Sequence, residues 1–393
     1  MRNRNVFWLG IVSFFTDMSS DMIFPVLPVF LSSVLGVPKA MIGLIDGLGE
    51  LAASLLKGAS GAWSDKLHRR KVLVTLGYGL STAVKPFFSF ISTGPQALIL
   101  RTIERAGKGI RTAPRDALIT ESVKDTERGR AFGFQRALDT FGAVLGTLIA
   151  FLFLFKYTGN YHTLFLLSFI PGAIAVICLL AFVRETVSPR FPEDGPPLRP
   201  EDRPPHLPYT QQFKKFLLVS VLFQLGSASY SFFVLKAHDI GIGLAFIPLV
   251  YLVYSLIYAL LSKPIGRWSD KVGRVKVLPF GFLAFTLTAS GFAFVQSEWI
   301  WLFIALYGVS LAVTDGVSRA YVADLTGGKK HGSAFGLYHM LIGLAALLGA
   351  TLFGLIWDRY SAQFAFILSA ILSLVASLLF ITLFRNKSPV HSH

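Results

Sequence analysis

Charge is scarce in this sequence, and acid is scarcer than base. Only 15% of the 393 residues are Asp, Glu, Lys or Arg, with 22 acids against 37 bases. Soluble domains carry roughly a quarter charged residues, so an ordinary water-facing surface is excluded. Cysteine is nearly absent. The single Cys178 rules out an intrachain disulfide or a cysteine-built metal cluster, and in its apolar setting it reads as packing. Catalytic signatures are missing too. The eight histidines show no His-Glu-x-x-His spacing, and there is no Gly-x-Ser-x-Gly elbow. Gly107-Lys108-Gly109 lacks the frame of a phosphate loop. No enzyme and no cofactor are expected. Short alternating strands, the mark of a membrane barrel, are also lacking.

What the chain does have is apolar length: 53% of it is hydrophobic. Runs of about 20 residues recur, enough to cross a hydrocarbon core of about 30 Å as helix. The sequence predicts an all-α polytopic membrane protein with about twelve spans. They fall near 6–34, 40–62, 71–93, 96–119, 129–155, 161–183, 214–236, 244–268, 275–296, 298–322, 332–356 and 362–384. The N-terminal run lacks a small-residue cleavage site and is expected to be retained. Between 184 and 213, Pro189, Pro192, Pro196, Pro197, Pro200, Pro204, Pro205 and Pro208 forbid a helix. That stretch divides the chain into a six-helix bundle at 1–183, a Pro-rich linker at 184–213 and a second six-helix bundle at 214–393.

The net charge of +15 follows from where the bases sit, not from a nucleic-acid surface. They crowd the loops on one side: Arg2 and Arg4, Lys66 to Lys71, Lys124 to Arg130, Lys271 to Lys276, Lys329 and Lys330, and Arg385. By the positive-inside rule both termini and the linker are cytoplasmic, in a bacterial inner membrane. The halves also repeat each other. Gly61-Ala-Trp63-Ser64-Asp65-Lys66 returns as Gly266-Arg-Trp268-Ser269-Asp270-Lys271, and Gly129-Arg-Ala131-Phe132-Gly133 as Gly332-Ser-Ala334-Phe335-Gly336. A duplicated membrane unit points to a transporter with its site at the repeat interface.

The loop Gly61-x-x-x-Asp65-Lys66-x-x-Arg69-Arg70-Lys71, echoed at Gly266, Asp270, Lys271, Gly273 and Arg274, resembles the signature loop of the major facilitator superfamily. The resemblance spans the whole chain. It implies two pseudo-symmetric six-helix bundles around a central cavity and rocker-switch alternating access. It also implies that Gly61, Asp65, Lys66, Arg70, Gly266, Asp270, Lys271 and Arg274 act as gates, the aspartate meeting a helix end near Gly332. His68 stands where glycine is usual in the first copy. Gly142 and Gly146 are similar to a glycine motif of antiporters, with Thr147 where its proline would be. The stretches Asp17 to Pro25 and Gly107 to Asp116 resemble a bacterial branch, some members of which are linked to export of metals or metal chelates.

The N-terminal half concentrates the chemistry. Between Arg101 and Asp116 a cationic stripe runs through residues 101, 104/105, 108, 111/112 and 115 at helical spacing. Its charges lie at membrane depth, where ionised groups face a bundle interior, a partner or a watery cavity. Across the half, Asp17, Asp21, Asp46, Glu50, Glu104 and Asp139 stand against Lys57, Lys85, Arg101, Arg105, Lys108, Arg111 and Arg136. The C-terminal half offers Gln224, Ser227, Ser229, Tyr230, an Asp315/Arg319 pair and His339. If the acids and bases do not all pair with one another, the free bases select an anion. Lys85, Arg101, Arg105, Lys108, Gln224 and Tyr230 are the expected substrate contacts. Asp17, Asp21, Asp46, Glu50, Glu104 and Asp139 are candidates for proton coupling, and Asp17 with Asp21 could instead hold a hard cation. Arg111, Arg115, Asp315 and Arg319 are expected at the gates, with Asp116 beside them.

The function this suggests is proton-linked secondary transport of a small anionic solute, or of a metal–carboxylate chelate such as iron citrate, with efflux favoured and the chain acting as a monomer in the bilayer. The alternative is a polyspecific exporter of lipophilic cations that uses Asp17, Asp21, Asp46 or Glu50. A non-transporting receptor or a membrane enzyme is the reading from another class.

Overall fold

A computed structural model describes residues 4–67, 69–124, 127–185, 210–326 and 331–384. The proline-rich stretch 186–209 therefore lies outside the described residues, as do His68 and the side chain of Asp65, and the surroundings of Gly332 are not described. The described residues are helices and short connections. They run α1 (Arg4–Asp21), α2 (Leu27–Val29), α3 (Lys39–Leu67), α4 (Arg70–Ala83), α5 (Gly94–Glu121), α6 (Arg128–Lys156), α7 (Tyr161–Leu167) and α8 (Phe169–Phe182), then α9 (Gln211–Gly226), α10 (Tyr230–Asp239), α11 (Ile247–Val272), α12 (Arg274–Phe294), α13 (Ile300–Thr326), α14 (His331–Arg359) and α15 (Ala362–Phe384).

Eight stretches are long and apolar enough to cross a membrane: 128–156, 161–182, 211–239, 244–272, 274–294, 297–325, 334–359 and 362–384. The first four expected spans fall outside that set for a physical reason. α5 carries the cationic stripe, α3 carries Asp46, Glu50 and Lys57, and α4 has only 14 residues. These are the helices that trade lipid-compatible residues for polar chemistry.

Several expected spans are broken helices. The first ends at Asp21 and resumes as α2 and a wide π turn at Phe30–Val34; Pro25 and Pro28 lie at the break, and proline has no N–H to give. The third gives way after Ala83 to a tighter turn, Lys85–Phe90, containing Pro86. The seventh is interrupted at 227–229, between α9 and α10. The breaks in the first and seventh expected spans occupy equivalent places in the repeat. Gly273 ends α11 with φ at +98°, a conformation that favours glycine. That explains why the second signature loop needs its glycine.

The helices before residue 185 pack mainly among themselves (α1 on α6 and α8, α5 on α3 and α4), and so do those after 210 (α12 on α13 and α15, α11 on α13). The two groups meet along α3 with α14 and along α6 with α11. The α3–α14 seam is close. A Cβ on Gly43 would sit 2.1 Å from the Ala350 carbonyl oxygen, and one on Gly354 2.3 Å from that of Lys39. Small residues permit such backbone contact. The seam then loosens: Gly343 is still near Leu51, but Gly58 and Gly336 have open space beside them. The groups are thus joined at the 39–47/347–358 end and splay toward the end bearing the signature loops.

Candidate functional site

In that splayed space lies a cavity of about 950 Å³ walled by both groups. It reaches from Asp46, Tyr230 and Ala350 to Asp116, Arg319 and His339. α5 contributes Arg105, Lys108, Gly109, Arg111, Thr112, Arg115 and Asp116 to the wall. α3 adds Asp46, Glu50 and Lys57, α1 adds Asp17, and α6 adds Gln135, Arg136 and Asp139. The second group supplies Gln224, Ser227, Ser229, Tyr230 and Tyr258, together with Asp315, Arg319 and His339.

The cationic stripe divides. Arg101 is 3% exposed and is not in the wall. It pairs with Glu104 at 3.0 Å and lies over the Phe24 ring at 3.6 Å. Lys85 is fully buried and also stands behind the wall. Its ammonium donates to Ser19 Oγ at 2.6 Å and Ser20 Oγ at 3.2 Å, and reaches the Thr16 carbonyl at 3.5 Å. Both were expected to contact substrate, yet both brace the break after α1. Arg105 does face the cavity but is paired with Glu50 at 3.2 Å. Arg115 holds Asp116 through two nitrogens, at 3.1 and 2.9 Å. Arg111 donates to Ser81 Oγ at 2.9 Å and stacks over Tyr78, so this expected gate residue is anchored within its own group. Lys108 is different: it lines the cavity and has no hydrogen bond or ion pair among the described residues.

The acids divide in the same way. Asp21 is buried off the wall and accepts from Tyr251 Oη at 3.2 Å, while Asp46 accepts from Ser229 Oγ at 2.5 Å. Both donors come from the other group. Asp17 lines the cavity and Asp21 does not; no group of three metal-binding side chains converges among the described residues. Asp139 accepts from Gln135 Nε2 at 2.6 Å, and Gln135 also donates to Ser13 Oγ at 3.2 Å. Asp315 pairs with Arg319.

One element of the wall escaped the sequence reading. Arg136 donates to Tyr258 Oη at 3.1 Å, and that phenol donates to Asp315 Oδ2 at 2.7 Å. This chain crosses the cavity from α6 to α13 through α11. Nothing in the residue pattern marks Tyr258, because a tyrosine on an apolar helix reads as packing.

Among the signature-loop residues, Arg274 pairs with Asp270 at 3.3 Å, with Asp324, and with the Ala320 carbonyl at 2.5 Å. Arg70 pairs with Glu121 at 2.8 Å. Glu185 accepts the backbone N–H groups of Arg70 and Lys71 at 2.9 and 3.0 Å, capping α4. Among the described residues a Cβ on Gly61 would meet only Ala113 and one on Gly266 would meet open space, and Lys271 is exposed.

Comparison with known proteins agrees with this architecture. A sequence model of the Major Facilitator Superfamily matches residues 9–235 and 216–393. The chain is 36% identical over 384 residues to the MFS-type transporter MJ1317 of Methanocaldococcus jannaschii, covering 96% of this chain and 94% of that one. It is 23% identical to the multidrug resistance protein MdtH of Yersinia enterocolitica, covering 86% and 82%. Among solved structures, the nucleoside transporter NupG (D323A mutant) superposes with a TM-score of 0.82 at 16% identity, covering 96% and 99%.

Proposed function

The chain belongs to the major facilitator superfamily, and from that premise we propose that it moves a small organic anion, or a metal–carboxylate chelate, across the membrane in exchange for protons. It is a multi-pass membrane transporter and not an enzyme. Its twelve expected spans would form two six-helix bundles, at 1–183 and 214–393, that rock about the cavity, with one chain sufficient. The positive-inside rule makes the splayed end cytoplasmic, so the cavity is open inward in a bacterial-type inner membrane. The likeness to the multidrug resistance protein MdtH favours efflux.

The observation that carries the anion reading is Lys108. Arg105, Arg115 and Arg319 spend their charge on carboxylates, whereas Lys108 lines the cavity with no ion-pair partner among the described residues. Such a group at membrane depth is costly unless water or a ligand meets it. Gln224 and Tyr230 on the opposite wall would orient the ligand. A second reading, transport of lipophilic cations, is supported by Asp17, which also has no hydrogen-bond or ion-pair partner among the described residues.

Thermal-shift titration of the purified chain with citrate, ferric citrate, benzoate and tetraphenylphosphonium separates the two. A ligand at 100 times its Kd adds about 2.7 kcal/mol of stability. Stabilisation by an anion that disappears in Lys108→Ala supports the proposal. Stabilisation by tetraphenylphosphonium alone, lost in Asp17→Asn, overturns it.

A further inference from the structure

We propose that Asp139 is the proton-binding residue of this transporter, and that it holds its proton in the inward-open state. The proposal rests on the proton-coupled reading above and narrows six candidate carboxyls to one.

Asp139 lies midway along α6 and is 8% exposed, at the edge of the cavity. Its Oδ2 receives the Gln135 amide, but its Oδ1 is buried and has no hydrogen-bond partner among the described residues. An ionised carboxylate offers about four acceptor sites. Leaving one of its oxygens dry and unpaired is among the costlier arrangements in a protein interior. A proton removes the charge and most of that cost. Among the described residues none of the other five has a buried side-chain oxygen without a partner. Glu50 and Glu104 have arginines, Asp21 and Asp46 have hydroxyls from the opposite group, and Asp17 is half-buried on the open cavity wall.

The surroundings fit. α1 faces Asp139 with Ser13 and with the carboxyl of Asp17. α5 brings Arg115, whose guanidinium is already bound to Asp116. On α6 itself Arg136 is turned away toward Tyr258, the titratable group that α11 contributes. Of the remaining neighbours, α7 carries Tyr161 and His162, the latter bonded to the Ser89 carbonyl, and the turn Leu244–Phe246 carries no ionisable group. Both nearby cations are therefore occupied while Asp139 is neutral. When the carboxyl gives its proton to cavity water, the carboxylate left behind competes for Arg136, one helical turn away. Arg136 would then leave Tyr258, and the tie across the cavity would break. Proton release and movement of the two groups would be one event.

Infrared difference spectroscopy of the full-length chain, in an ester-free maltoside detergent near neutral pH, tests this without any substrate. The wild type should show the carbonyl stretch of a protonated carboxyl, Asp139→Asn should lose that band, and Asp17→Asn and Asp46→Asn should keep it. If Asp139→Asn fails to fold, Asp139→Glu should shift the band to the glutamic-acid position. A wild-type spectrum without the band, or a band that survives unshifted in the Asp139 variants, overturns the assignment. Because the spectrum needs no transported solute, its outcome is separate from the Lys108 titration that decides the anion reading.

Discussion

The joined end of the molecule should open when Asp358 is removed. α3 begins at Lys39 and has no acidic side chain in its own first turn. Its cap comes from the other group: Asp358, at the end of α14, accepts the Lys39 N–H at 3.1 Å and the Ala40 N–H at 2.8 Å. A helix start leaves four N–H groups unpaired, and a carboxylate there also meets the positive end of the helix dipole. Loss of such a cap costs about 0.5–2 kcal/mol. The cost falls only on the state in which α14 touches α3, because water caps α3 once the mouth opens. Half to two kcal/mol is a factor of about 2–30 in an equilibrium. The assay places a single cysteine at Ala228, a cavity-lining position, in a background with Cys178 replaced. A membrane-impermeant thiol reagent is added from the side facing the start of α3. Asp358→Ala should label about 2–30 times faster than the parent, with Asp358→Asn in between. A disulfide between cysteines at Ser33 and His238, whose side chains lie 3.4 Å apart, should abolish the labelling. An unchanged rate in Asp358→Ala would refute the idea that this cap holds the mouth shut.

Two further experiments separate structural from functional charge. Lys85→Met removes a buried ammonium from hydrogen bonds worth about 1.5–3 kcal/mol each. It should lower the thermal midpoint while leaving any anion-induced shift intact, and a folded variant that no longer responds to anions would return Lys85 to the substrate site. Tyr258→Phe combined with Arg136→Ala in a double-mutant cycle should give a coupling of about 0.5–3 kcal/mol; additive losses would mean that the phenol does not link the two groups.

The helical architecture, the duplication and the charge-laden first half were legible because they depend on run length, spacing and repetition. The distribution of charge between cavity and core was not. Residues 101 and 105 fall near each other on a helical wheel, yet Arg101 finds Glu104 one turn away and turns inward, while Arg105 finds Glu50 on α3 and faces the cavity. Choosing between those partners needs the rotation of α5 against α3, which periodicity does not contain. Lys85 lies just past the end of α4 at Ala83, where the tighter turn around Pro86 changes the angular step per residue. Its charge alone marks it as a candidate; that its ammonium meets the hydroxyls of Ser19 and Ser20 is a matter of packing. For Asp139 the sequence shows a charge, but an oxygen without a partner is a property of packing alone.

The partition of bond types bears on how the two groups can alternate. Every ion pair recorded between described residues lies within one group: Arg101–Glu104, Arg105–Glu50, Arg115–Asp116 and Arg70–Glu121 in the first, Arg319–Asp315, His238–Asp239 and Arg274 with Asp270 and Asp324 in the second. Across the divide the polar contacts use a hydroxyl or the backbone: Tyr251 to Asp21, Ser229 to Asp46, Tyr230 to the Phe24 carbonyl, Arg136 to Tyr258, and Asp358 to the start of α3. Removing one partner of a buried ion pair costs about 3–5 kcal/mol, because it leaves an uncompensated charge. A hydrogen bond to one charged group is worth about 1.5–3 kcal/mol, and the hydroxyl left behind is neutral and can turn to water. An interface that must part and rejoin in every cycle is better built from the second kind. Each group can then move as a rigid body whose own ion pairs stay intact, while the carboxylates along the divide change partners.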